Sequence, residues 1–310
     1  MDAARTPSGP LRLSIVETHH MITHALTPFR RGLLSVSAAA VAWGAGGAAA
    51  DELFRTSGLG PIAVSFWRFA IAAAVLLAHR IRHPAGARPT SCRRTAVFTG
   101  VALAAYQTAY FGAVQDAGLA LGTMVTLGAS PVLVSAGAHV LLDERLSKRG
   151  VTAIGIALLG LLLLVVRPVS SPRPLVGITL ALLSAVGYSA VTLRARYTGS
   201  ATTDAATWSA GALCLLPLAL AQGAWPRIEH GAESVGWLVF LGIVPTLLAY
   251  RWYFNGLTAV RSTTAAVLVL LEPATAAVLA VVLGERISTP LVLGSVLLLT
   301  AIAVLSHDQS

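Results

Sequence analysis

Glu272 and Pro273 stand together in the segment from Ser262 to Gly284, where Glu272 is the only charged residue. A carboxyl near the middle of an apolar helix is costly to bury. A proline there removes a backbone donor and frees the carbonyl four residues earlier, that of Val269. The pairing suits transfer chemistry. A carboxyl alternately exposed to two aqueous phases can take a proton on one side and release it on the other in exchange for a substrate. The competing role is a structural carboxyl hydrogen-bonded between helices. Ala265, Glu272, Thr275, Ala276 and Ala280 form a small, polar face, expected to point inward. Val267, Leu270, Leu271, Val278 and Val281 form a bulkier face that suits lipid.

Arg68, in VSFWRFAIAAAVLL, is the second charged group inside an apolar run. Its guanidinium could hold an anionic substrate group, or it could snorkel toward the headgroups beside Trp67. Arg251, near one end of its run, fits snorkelling better, and His139 fits packing or the interface. Trp43, Tyr106, Gln107, Tyr110, Tyr188 and Trp208 are the aromatic and amide residues within apolar runs that could line a cavity. Of these, Trp43, Tyr106 and Gln107 are the candidates for substrate contact.

The elements that must carry these residues follow from composition. Of the 310 residues, 55% are hydrophobic and 11% charged, with a mean hydropathy of +0.75. Soluble domains carry about 25% charged residues, so this chain cannot coat itself for water. Ten apolar runs recur, each long enough for a bilayer core of about 30 Å. They lie at 32–50, 61–79, 95–115, 119–142, 150–167, 174–193, 203–222, 235–256, 262–284 and 290–306. Pro61, Pro174 and the Thr289-Pro290 pair mark helix starts. Ala48-Ala49-Ala50 resembles a signal-peptidase site, but the run before it is itself long enough to span.

With both termini cytoplasmic, fifteen of the 22 Lys and Arg fall on inner segments and five on outer loops. That is the positive-inside bias. The net charge of +9 is therefore a topology signal, not a nucleic-acid footprint. Residues 1–31 read as a cytoplasmic tail.

The helix-nine stretch has an earlier echo in GASPVLVSAGAHVLLDERLS, residues 128–147. Pro131 pairs with Pro273 at an offset of 142, and Glu144-Arg145 with Glu285-Arg286 at 141. Tyr110-Phe111 pairs with Tyr253-Phe254 at 143, and Trp67 with Trp208 at 141. The fold class is thus an all-α integral membrane protein of two five-helix repeats, residues 32–167 and 174–306. Five is odd, so the second repeat enters the membrane from the opposite side, giving the inverted repeat common in secondary transporters. Ser130 precedes Pro131 where the second repeat has Glu272, so only one half carries the acid. Ser130 and Pro131 join the substrate or coupling candidates as the counterparts of Glu272 and Pro273. The glycines at 44, 46 and 47, and at 150, 155 and 160, are expected to permit close helix approach.

Trp43-Gly44, Arg68 and the Pro…Gly/Asp-Glu-Arg pattern ending helices four and nine resemble the EamA family of the drug/metabolite transporter superfamily, over roughly 33–166 and 174–306. The resemblance implies ten helices around a central cavity, and export of a small metabolite, amino acid or drug-like molecule across the cell membrane. An importer, facilitator or exchanger on the same fold remains open, as do an integral membrane enzyme and a channel. The pattern is uninformative about substrate and oligomeric state. The sequence shows no phosphate-cradling glycine loop with a lysine. Cys92 and Cys214 suggest neither a disulfide framework nor a metal site. No cofactor or metal is expected. The expected partners are a small-molecule substrate, the lipid bilayer and, through Glu272, a proton.

Overall fold

The computed structural model describes residues 27–83, 92–117, 119–165, 173–199, 203–226, 231–282 and 289–306. The expected tail up to residue 26, the end of helix five beyond 165, and Glu285-Arg286 lie outside the described residues. In chain order the helices are α1 (Pro28–Ser57), α2 (Pro61–Arg82), α3 (Arg93–Ala117), α4 (Leu119–Leu142), α5 (Lys148–Val165), α6 (Pro174–Thr198), α7 (Ala205–Gln222), α8 (Gly231–Leu257), α9 and α10 (Thr289–Ser306). Helix α9 is split into α9a (Ser262–Leu268) and α9b (Leu271–Val282).

Local chemistry explains the ends. Pro28, Pro61 and Pro174 open their helices, where the missing N–H costs nothing. Asp204 caps α7 by accepting from the Thr207 N–H at 2.9 Å. Helix α1 runs two turns past the expected residue 50, carrying Ala49 and Ala50 buried within it. It stops at Gly58 (φ 70°), and α6 runs past 193 to Gly199 (φ 59°). Both glycines adopt the left-handed conformation that ends a helix at little cost. The charged residues after 50 and 193 had looked like helix ends because they interrupt the apolar run, but no backbone reason stops the helix before these glycines.

Most of the packing is symmetric under exchange of each helix with the one five places later. Helices α1 and α8 pack as α3 and α6 do, α1 and α9 as α4 and α6 do, and α2 and α8 as α3 and α7 do. The pairs α2–α7, α5–α10 and α4–α9a map onto themselves and flank the axis. Seven of the described helices have the length and apolar composition to cross a bilayer, and α9 and α10 contain shorter apolar stretches. The core, around Phe69, Trp208, Tyr250, Tyr253 and Leu257, draws on both repeats.

The expected lipid face of α9 holds only for α9b, where Val278 is 58% exposed. Val267 and Leu270 are buried, because α9a is enclosed by α1, α4, α5, α6 and α10. The glycine expectation is also met only in part. Gly44, Gly46 and Gly160 sit at close helix contacts, whereas Gly47 and Gly155 have open space around them.

Candidate functional site

Two irregularities at mid-bundle build the site. The first is in α8, where Ile243–Leu248 form a π-helical segment. Pro245 cannot donate to the carbonyl of Leu241, and the Thr246 hydroxyl supplies that acceptor with a bond at 2.7 Å. The same hydroxyl oxygen accepts from Arg68 Nε at 2.9 Å. The guanidinium is thereby tied inward to α8 rather than drawn toward an interface. Trp43 Nε1 donates to the Pro245 carbonyl at 2.8 Å, so α1 is fastened to the same segment. Single π-turns inside α-helices recur at functional sites because they re-aim side chains and loosen backbone acceptors.

The second irregularity is the break in α9 at Val269–Leu270, just before Pro273. The Val269 carbonyl is not left open to a cavity. It accepts from the Glu272 N–H at 2.9 Å, and the Val267 carbonyl accepts from Leu270 N–H at 3.0 Å. Both bonds span three residues, so the chain tightens into a 3₁₀-like turn that recovers the acceptor Pro273 leaves behind. Glu272 then falls in the first turn of α9b. Gly44 makes this possible: a Cβ there would lie 2.5 Å from the Glu272 carbonyl oxygen and 2.7 Å from Thr275 Cβ. A Cβ on Gly46 would lie 2.8 Å from Pro245 Cβ. Two glycines on α1 thus admit the α9 break and the α8 π-turn.

Between these features lies an aromatic and hydroxyl cluster. Tyr250 hydrogen-bonds the Tyr106 hydroxyl and accepts from Gln107 Nε2 at 3.4 Å. The Trp43 ring lies 5.1 Å from Tyr250 and 5.3 Å from Tyr253, and Trp208 lies 5.4 Å from Tyr250, all edge-on or tilted as ring quadrupoles prefer. Tyr253 bonds the Tyr188 hydroxyl at 2.8 Å and the Thr192 hydroxyl at 2.9 Å. Glu272 is partly exposed, and its backbone carbonyl packs against α1 at Gly44, next to Trp43. Gln107 Oε1 and Trp208 Nε1 are buried without a protein partner, which is rare for polar atoms in a folded interior.

Of the candidates expected from the sequence, Trp43, Tyr106 and Gln107 belong to this cluster, Arg68 is tied to Thr246 one turn before Tyr250, and Glu272 and Pro273 lie at the α9 break that packs on Gly44. Ser130 and Pro131 bond within their own helix: the Pro131 carbonyl accepts from the Ser135 hydroxyl at 2.6 Å. The Ser130 hydroxyl donates to the Thr126 carbonyl of its own helix at 2.6 Å, and α4 continues unbroken past Pro131. The sequence reading missed Thr246, Tyr250 and Tyr253. Their signal was IVPTLLAYRWYF, a mid-span proline followed by Thr and by two Tyr three residues apart. Among the described residues, no three His, Cys, Asp or Glu side chains gather as a metal site. A groove of about 460 Å³ between α4 and α6, lined by Leu133, Val186, Leu193 and Arg194 among others, shares no residue with the cluster.

The profile of the EamA-like transporter family matches residues 30–166 and 175–307. The chain belongs to the EamA-like transporter family. Two matches, one per repeat, agree with the symmetric packing. An uncharacterized transporter, YwfM, of Bacillus subtilis (strain 168) is 28% identical over 212 residues, 66% of this chain and 71% of that protein. An uncharacterized transporter of Clostridium kluyveri is 26% identical over 172 residues, 52% of this chain and 55% of that protein. A solved crystal structure superposes with a TM-score of 0.76 at 22% identity, covering 89% of this chain and 96% of that one. That likeness concerns the fold alone. The chain is thus a multi-pass EamA-family membrane protein of the drug/metabolite transporter superfamily, in a family of transporters rather than enzymes.

Proposed function

We propose that this EamA protein is a secondary transporter that exports a small molecule with an anionic or zwitterionic group by alternating access, coupled to protons through Glu272. The observation that supports this most directly is that α1 seats both irregularities through Gly46 and Gly44: the π-turn that fixes Arg68 through Thr246, and the α9 break that carries Glu272. Arg68 offers its Nη groups to a carboxylate or similar anion, and planar donors suit that geometry. The orphan Gln107 Oε1 and Trp208 Nε1 offer an acceptor and a donor to the same solute. Trp43, Tyr106 and Tyr250 supply apolar surface with polar tips. Glu272, whose counterpart in the first repeat is Ser130, gives a single proton site. Both termini are taken as cytoplasmic, on the distribution of Lys and Arg.

The test uses the purified protein in vesicles holding a pH-sensitive dye. A panel of amino acids and small organic acids and amines is presented with and without a pH gradient. The expected result is that at least one class evokes proton movement in the wild type and not in Glu272→Gln. Equal gradient-driven accumulation by both proteins would make Glu272 structural. A wild type that transports while ignoring the gradient would be a facilitator, and the coupling mechanism would fail.

A further inference from the structure

The α4–α5 connection carries a second charged cluster, away from the substrate site. Asp143 is the non-glycine residue with positive φ (52°) among those described. It ends α4 in the left-handed conformation, and the Glu144 N–H turns back to the Ala138 carbonyl at 3.1 Å. This turn aims the Glu144 carboxylate at the second repeat. One oxygen accepts from Arg196 Nε at 3.2 Å, and the other accepts from the Ser262 N–H, at the start of α9a, at 3.0 Å. Arg196 Nη1 donates in turn to the carbonyls of Leu257 and Thr258, at the end of α8, at 3.2 and 3.0 Å. One ion pair therefore satisfies the orphan groups of two helix ends and joins the first repeat to α6, α8 and α9. The side chains are only 13% (Glu144) and 29% (Arg196) exposed, so removing one partner strands a shielded charge and costs more than losing a solvated surface bridge.

Packing along α9 changes at the substrate site. From 262 to 270 every residue is buried, whereas on the inward face beyond the break Glu272, Thr275 and Ala276 are partly exposed. The bundle is shut at the Glu144 end and looser beyond Glu272. We propose that the Glu144–Arg196 pair is a latch that holds the Glu144 face closed, and that breaking it lets the central site open to that face. The latch rests on the alternating-access reading, but its test needs no substrate.

The full chain, with Cys92→Ser and Cys214→Ser, is placed in nanodiscs so that a membrane-impermeant maleimide reaches both faces. Ser135→Cys reports the latch end, where the Ser135 hydroxyl meets Thr263 at 3.3 Å. Thr275→Cys reports the other half of α9. Loss of a charge-assisted bond in Glu144→Gln or Arg196→Gln is expected to raise the labelling rate at Ser135→Cys about tenfold or more, with no rise at Thr275→Cys. The double variant should match the single ones, since the two groups act as a unit. No rise at Ser135→Cys overturns the latch, and so does a rise at both reporters, which would mean general loosening. If the latch opens as expected while no solute is transported in vesicles, the transport reading fails and the latch stands.

Discussion

Arg68 illustrates why a charged residue inside a span has to be judged by its partner. A guanidinium at a helix centre costs about 2.5–3.5 kcal/mol on insertion scales. Here Thr246 offsets part of that cost, and Thr246 is free to do so because Pro245 has left the Leu241 carbonyl for its hydroxyl. Arg68→Lys keeps the charge and loses the planar fork. It is expected to raise the apparent KM for an anionic or zwitterionic substrate about tenfold or more at normal expression. Thr246→Val removes the bond to Arg68 and leaves the Leu241 carbonyl unpaired. It should lower the thermal midpoint, by a loss of about 1–3 kcal/mol, and raise KM in the same direction. Unchanged KM in both would return Arg68 to a structural role.

Helix α1 works as the surface that receives the two irregular helices. Gly44 and Gly46 lie two residues apart, so they meet different partners: the carbonyl of Glu272 and the ring of Pro245. Gly47 meets nothing within 4 Å. This separates substitutions that look equivalent in the sequence. Gly44→Ala forces a methyl against backbone and should destabilise by about 1–3 kcal/mol, as overpacking does. Gly47→Ala should be neutral or slightly stabilising, since alanine suits a helix interior better than glycine. Thermal unfolding of the two variants in detergent checks the difference; equal midpoints would mean that α1 does not approach α9 as closely as described. The ends of α1 and α6 show the same logic. Arg55 and Gly58 in the first repeat stand 141 residues before Arg196 and Gly199, the offset of the Trp67–Trp208 pair.

For the molecule as a whole, an odd number of helices per repeat with symmetric packing makes the two halves alike and oppositely oriented. Orientation in the membrane is a separate matter, argued from fifteen inner against five outer basic residues. The native Cys92, exposed at the start of α3, is expected inside the cell. A cysteine in place of Arg173, exposed before α6, is expected outside. With Cys214→Ser, an impermeant maleimide applied to intact cells should label Arg173→Cys and spare Cys92. Labelling of both from outside would overturn the topology.

What the sequence determined by itself was whatever depends on local composition and order. Run length set the number of helices, proline set their starts, and the offset between GASP and LLEP exposed the repeat. The odd helix count then implied its inversion. Glu272, Arg68, Trp43, Tyr106 and Gln107 were recognisable because polar groups in apolar runs are expensive and therefore few. Only the tertiary structure decided which of them meet. Ser130 shares its sequence position with Glu272 yet spends its hydroxyl on its own helix, and no local pattern distinguishes the two. Thr246 and Tyr250 were passed over because Thr and Tyr are ordinary in spans; their roles arise from a π-turn and from partners 178 and 144 residues away. The burial of Val267 and Leu270 was missed for the same reason. Hydropathy cannot tell a lipid-facing side chain from one facing another apolar helix, since both surroundings exclude water equally.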